Sequence, residues 1–152
     1  MTRFIAILFT SIVTLFATPV WAGPIEEVAQ IAAPRQQAFQ QGNAENFAAA
    51  FADNAVLLSS FSPFRIEGKE AIRAYFTQLF QMYPKRNFVV RQPVARAYGD
   101  DLVVQNAYAV ISTTNEKGEP KTYDTRGNTV WKKIDGRWQI IDQHVSRLPV
   151  AQ

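Results

Sequence analysis

The sequence predicts an α+β domain in which helices cover one face of a curved, mainly antiparallel sheet. Two observations carry that prediction. Apolar residues recur at helical spacing through the first half of the chain and give way after Pro84 to strand-like alternation rich in valine, tyrosine and tryptophan. The alternating stretches are joined by short turns, and Ile134-Asp135-Gly136-Arg137 holds the strongest hairpin signal, Asp-Gly.

Residues 1–22 read as a secretory signal and stand apart from the fold. Arg3 supplies a positive start, Phe4 to Phe16 is an apolar run of 13 residues, and the small residues Val20 and Ala22 place cleavage after Ala22. The run is too short for a bilayer span, which needs about 20 residues. The expectation is an exported chain without stable membrane insertion after cleavage, periplasmic in a Gram-negative cell and otherwise secreted.

Without that segment, which contains one arginine, the 152-residue chain leaves 130 residues with a formal net charge of +2. That suits one domain, spanning 23–152. Basic residues are scattered among acids, with only Lys85-Arg86 and Lys132-Lys133 adjacent, so no nucleic-acid footprint is expected. Cysteine is absent, so stability must come from packing, extended by self-association if the chain assembles.

The elements follow in order. From Pro24 to about Gln41, Ile25, Val28, Ala29, Ile31, Ala32 and Ala38 repeat at helical spacing, and Glu26 and Glu27 favour the positive helix start. Pro34 predicts a kink or break near Ala33. Asn43 caps a second helix expected over Ala44 to Ala52, ending at Asp53-Asn54. Two short extended stretches follow, Ala55 to Ser60 and Phe64 to Ile66. A third helix, Glu70 to Met82, presents Ile72, Tyr75, Phe76, Leu79 and Phe80 on one face, and Pro84 closes it. Four strands complete the chain: Asn87 to Ala97, Leu102 to Thr113, Lys121 to Ile134 and Trp138 to Val145.

Several chemistries are excluded. One histidine and no cysteine offer no donor set for zinc or copper, so no metal is expected. No glycine-rich phosphate loop, G-x-S-x-G elbow or dinucleotide fingerprint occurs, and no cofactor is expected.

Three pieces carry a family resemblance: Phe51-Ala52-Asp53-Asn54-Ala55-Val56, Gly68-Lys69-Glu70-Ala71-Ile72, and Trp131 through Ser146 with its Asp-Gly-x-Trp hairpin and His-x-Ser ending. The chain from residue 23 onward resembles the nuclear transport factor 2-like superfamily. It is most similar to the SnoaL-like and ketosteroid-isomerase-like proteins and to the association (hub) domain of calcium/calmodulin-dependent protein kinase II. The resemblance implies a cone in which three helices pack on a strongly curved sheet, an apolar pocket at its open end, and a homodimer formed through the outer face of the sheet. It implies no single activity, since the superfamily holds isomerases, cyclases, dehydratases and members that only bind or assemble.

Candidate site residues concentrate in the last strand. Alternation places Trp138, Ile140, Asp142, His144 and Ser146 on one face, running from apolar to acid, imidazole and hydroxyl. If that face lines the cone, Asp142 and His144 form a pair able to move protons near neutral pH; otherwise His144 is a structural residue. Ser146 is two residues from His144, roughly 7 Å along an extended backbone, too far for direct activation as a nucleophile. Arg126 is the candidate for an anionic ligand such as a carboxylate; some SnoaL-like relatives carry an arginine in a similar register, whereas hub domains have theirs where this chain has Thr129. Alternation sets Arg126 with Val130 and opposite Trp131, leaving open which side faces inward, and a bulge would reverse the answer. Tyr75, Tyr108 and Trp131 suit the lining of an apolar pocket and equally an ordinary core. An isomerase of the ketosteroid type would need a carboxylate base and an acidic donor, for which Asp53, Asp142, Tyr75 and Tyr108 are available without matching that family's dyad.

Two functions follow. The first is a non-catalytic pocket protein that binds a small, partly apolar and anionic molecule or acts through self-assembly. The alternative is a cofactor-independent acid/base isomerase, cyclase or dehydratase using His144 and Asp142.

Overall fold

The computed structural model describes residues 23–149; the secretory signal expected at 1–22 lies outside the described residues. Three helices, α1 (Pro24–Gln41), α2 (Ala44–Ala48) and α3 (Lys69–Met82), pack with six strands. The strands are β1 (Phe51–Leu58), β2 (Ile66–Glu67), β3 (Lys85–Ala97), β4 (Leu102–Thr114), β5 (Pro120–Ile134) and β6 (Arg137–Arg147). They form one sheet in the order β2-β1-β6-β5-β4-β3, antiparallel except where β1 runs beside β6. The expected α+β cone, helices on a strongly curved sheet, is the observed architecture.

Helix α1 runs unbroken through Pro34, so the break expected near Ala33 does not occur. Proline removes the N–H that would donate to the Gln30 carbonyl, but both residues are exposed and water can take the freed acceptor. The helix ends at Gly42, whose φ of 74° lies in the left-handed region that a side chain disfavours. Its first turn is tied to the terminal hairpin through Glu27, whose carboxylate accepts from Lys133 Nζ at 2.7 Å and Trp138 Nε1 at 2.5 Å. The Lys133 and Trp138 hydrogen bonds hold that carboxyl below its ordinary pKa.

Asn43 caps α2 as expected, its side chain accepting from Asn46 N–H at 2.9 Å. The helix stops at Ala48 rather than Ala52 because the last strand recruits the chain. Ile140 N–H donates to Ala50 O at 2.7 Å and Phe51 pairs with Ile140, so β1 begins three residues after the helix ends. Pairing with a buried strand overrides a weak local helical preference. The second extended stretch, expected at Phe64 to Ile66, is confined to Ile66–Glu67 for lack of any other partner to the loop before it.

The core lies between the helices and the concave face of the sheet. Phe39, Phe47, Phe76 and Phe80 interlock there, with Phe47 and Phe76 centroids 4.3 Å apart and Phe39 meeting Phe80 edge-on at 5.2 Å. Trp131, Trp138 and Ile140 belong to the same core from the sheet side. Bulges in β3, after Arg91, and in β6, after Ile140, bend the sheet around this core.

Arg86 joins the ends of two helices. Its guanidinium donates to Phe39 O at 2.8 Å on α1, and to Phe80 O at 3.0 Å and Tyr83 O at 2.5 Å at the end of α3. Its cation also lies 4.5 Å from the Phe80 ring centroid. Carbonyls at a helix C-terminus lack the usual i+4 donor, and Phe39 O takes Arg86 in addition to a longer bond from Gly42 N–H. Arg86→Leu is therefore expected to lower stability by about 2 kcal/mol, read as a lower urea midpoint; an unchanged midpoint would show that water replaces the guanidinium at no cost.

Candidate functional site: a cavity with a buried arginine

The bulge in β6 decides which side chains the concave face receives. Trp131 pairs with Ile140, yet Val130 pairs with Asp142, so Ile141 is an extra residue without a partner on β5. Alternation is interrupted there. Trp138 and Ile140 face the core before the bulge, and Gln143 and Val145 face it afterwards. The expectation that Trp138, Ile140, Asp142, His144 and Ser146 share one face is thereby corrected: the three polar residues emerge on the opposite, outer face.

The same register places the other candidates. Tyr108 pairs with Arg126 and Arg126 with Ser146, a row on the outer face, while Asn128 pairs with His144 beside them. Arg126, His144 and Tyr108 are exposed. Arg126 and His144 border the cavity along the main chain, and their side chains leave on the far side of the sheet. Trp131 lies inside, 1% exposed, as part of the cavity wall. Tyr75 on α3, expected to line the pocket, stands behind the wall instead, its hydroxyl 2.7 Å from Ser59 Oγ, which does line the cavity.

The cavity itself, of about 330 Å³, lies between α1, α3 and the concave sheet. Its walls are mainly apolar, with Phe39, Phe47, Leu57, Phe76, Phe88 and Trp131 contributing. Its dominant polar group is a residue that sequence reasoning missed. Arg35 projects from the middle of α1, is buried, and has no carboxylate within ion-pair distance among the described residues. Its guanidinium carbon lies 3.9 Å from the Phe47 ring centroid and 5.0 Å from that of Phe51. One nitrogen, Nη2, donates to Gln143 Oε1 at 2.7 Å, and Gln143 Nε2 donates in turn to Thr129 Oγ1 at 3.1 Å. The Nε atom is buried without any partner.

Burial alone pushes the Arg35 pKa down to about 9, so the group stays cationic at neutral pH. A desolvated cation stacked on aromatic rings gains only part of what water would give it. An anion entering the cavity would supply the missing counter-charge in a setting where charge-assisted hydrogen bonds are strong. The signal was present in the sequence: Val28, Ile31, Ala32, Arg35, Ala38 and Phe39 form one helical stripe, and an arginine in that stripe must point at the core.

A helix-backed curved sheet enclosing a single-ended cavity defines the nuclear transport factor 2-like superfamily, and solved structures agree. The chain aligns with a Xanthomonas campestris protein described as a calcium/calmodulin-dependent protein kinase II association domain at 27% identity and a TM-score of 0.76, over 90% of this chain and 95% of that one. It shares its fold with a nuclear transport factor 2-like protein of unknown function from Pseudomonas putida, at 22% identity and a TM-score of 0.69, over 79% and 83% of the two chains. A Streptomyces avermitilis protein described as a dehydratase of the same superfamily shares it too, at 12% identity and a TM-score of 0.73, over 84% and 98%. Residues 25–149 match the calcium/calmodulin-dependent protein kinase II association domain family, and the chain belongs to that family.

Proposed function

We propose that this protein is an exported, non-catalytic binding protein whose cavity takes a small, partly apolar carboxylate, with Arg35 as the anion's anchor. The observation that carries the reading is the buried guanidinium of Arg35, which faces an apolar cavity and has no acidic partner among the described residues. Among the described residues no aspartate or glutamate contributes to the cavity wall, and the side chains of His144 and Asp142 emerge outside it, which favours binding over proton transfer. Export rests on the signal pattern of residues 1–22. A homodimer through the outer face of the sheet is supported by the apolar surface exposed there, Val89, Val94 and Tyr108 among it.

One experiment tests the reading on protein recovered from its exported fraction, where N-terminal sequencing should begin at Gly23. Calorimetric titration with benzoate should show saturable binding, and benzamide, of the same shape without charge, should bind far more weakly. Affinity should hold between pH 6 and 8 and fall as pH rises above about 9, where Arg35 loses its proton. Equal binding of the acid and the amide would exclude Arg35 as an anion anchor.

A further inference from the structure

A second polar group lies within the same cavity, and its position is set by the strand register. Leu57 pairs with Gln143, so the Arg35–Gln143–Thr129 chain of hydrogen bonds crosses the sheet at the level of Leu57. Ser59 stands just past the end of β1, two residues beyond Leu57. It lines the cavity. Its hydroxyl is engaged twice from the protein side: Phe61 N–H donates to Ser59 Oγ at 3.2 Å, and the Tyr75 hydroxyl lies 2.7 Å away.

A serine hydroxyl has two acceptor sites and one proton. Phe61 N–H can only donate and occupies one acceptor site. A phenol is a better donor than an aliphatic alcohol, and burial pushes the Tyr75 pKa up, so Tyr75 keeps its proton. With Tyr75 donating, both acceptor sites of Ser59 are filled and its own proton is free for a partner within the cavity that Ser59 lines.

Building on the carboxylate reading of Arg35, we infer that Ser59 is a specificity-determining residue, oriented by Tyr75, that donates a hydrogen bond to an oxygen on the far end of the ligand. The ligand class is then a carboxylic acid with an apolar or aromatic body and an acceptor oxygen opposite the carboxylate. The aromatic walls of the cavity suit a flat ring as the body between the two groups. Tyr75 acts through Ser59 and does not touch the ligand.

The test compares 4-hydroxybenzoate, 4-methoxybenzoate and 4-methylbenzoate, three acids of similar shape of which the first two offer an acceptor and the third does not. Calorimetry on the wild-type protein should show the first two binding about fivefold more tightly than the third. Ser59→Ala should remove that preference while still binding all three; Ser59→Thr, which keeps a hydroxyl, should restore part of it. Tyr75→Phe, which leaves Ser59 in place, should weaken the preference. A preference that persists in Ser59→Ala, or equal binding of the three acids by the wild type, would overturn the role of Ser59 alone. Failure of all three to bind the wild type would overturn the reading of Arg35 and this inference with it.

Discussion

Arg35→Met is expected to give a protein that is more stable than the wild type and no longer binds carboxylates. The substitution removes a cation that sits buried with one side-chain acceptor and an unpartnered Nε, and replaces it with a thioether able to pack on the Phe47 and Phe51 rings. Exchanging buried charges for well-packed apolar groups commonly stabilises by about 1–4 kcal/mol. Gln143 loses its donor, but Nε2 keeps Thr129 and Oε1 borders the cavity, where water can reach it. A net gain of about 2 kcal/mol would raise the melting temperature by roughly 5–10 °C. Urea denaturation with an unchanged slope, alongside benzoate titration, measures both effects. A clear loss of stability would mean that the cation is already compensated within the cavity. A stabilising substitution that abolishes binding would mark Arg35 as retained for function at the expense of the fold.

The second large effect is expected at Gly127. This glycine lies on β5 in the wall of the cavity, opposite Val145. A methyl group there would stand 2.4 Å from the His144 carbonyl oxygen and 3.3 Å from Val145 Cα. Both are backbone atoms of the neighbouring strand, so no side-chain rotation relieves the overlap, and β5 and β6 must separate locally. Gly127→Ala is expected to lower stability by about 3 kcal/mol and to displace the strand that holds Gln143. Chemical denaturation and benzoate affinity should fall together. Wild-type values for both would show that the two strands have slack at this point. Glycine in a strand often marks such close approach of another backbone.

The fold was legible because its signals are local or periodic. Asp135 and Gly136 have φ values of 48° and 75°, the two left-handed residues that an Asp-Gly hairpin needs, and the pairing that follows from that turn fixes where β5 and β6 meet. The apolar stripe of α3 is buried as Ile72, Phe76, Leu79 and Phe80. Where the reading erred, a distant partner decided the outcome. The chain turns at Ala49–Ala50 and is extended from Phe51 because β6 lies beside it, and nothing within Ala49 to Ala52 announces that neighbour.

The site was less legible for a related reason. Facing along a strand depends on an unbroken count of two, and one unpaired residue, Ile141, resets the count without any glycine or proline to flag it. The sequence offers Arg126 on β5 for an anionic ligand, yet the guanidinium that enters the cavity is that of Arg35 on α1. On β5 it is Thr129 that takes part, as the acceptor that holds the glutamine receiving Arg35.

The unpaired residue in β6 also means that this strand encodes two different interiors. Paired without interruption, Ile141 would fall opposite Val130, and Asp142 and His144 would come opposite Thr129 and Gly127 on the concave side. The cavity would then present an acid and an imidazole in place of an amide and a methyl-bearing side chain, with no change in amino-acid identity. Between a receptacle and a reaction chamber, in this chain, stands a one-residue difference in how two strands are matched.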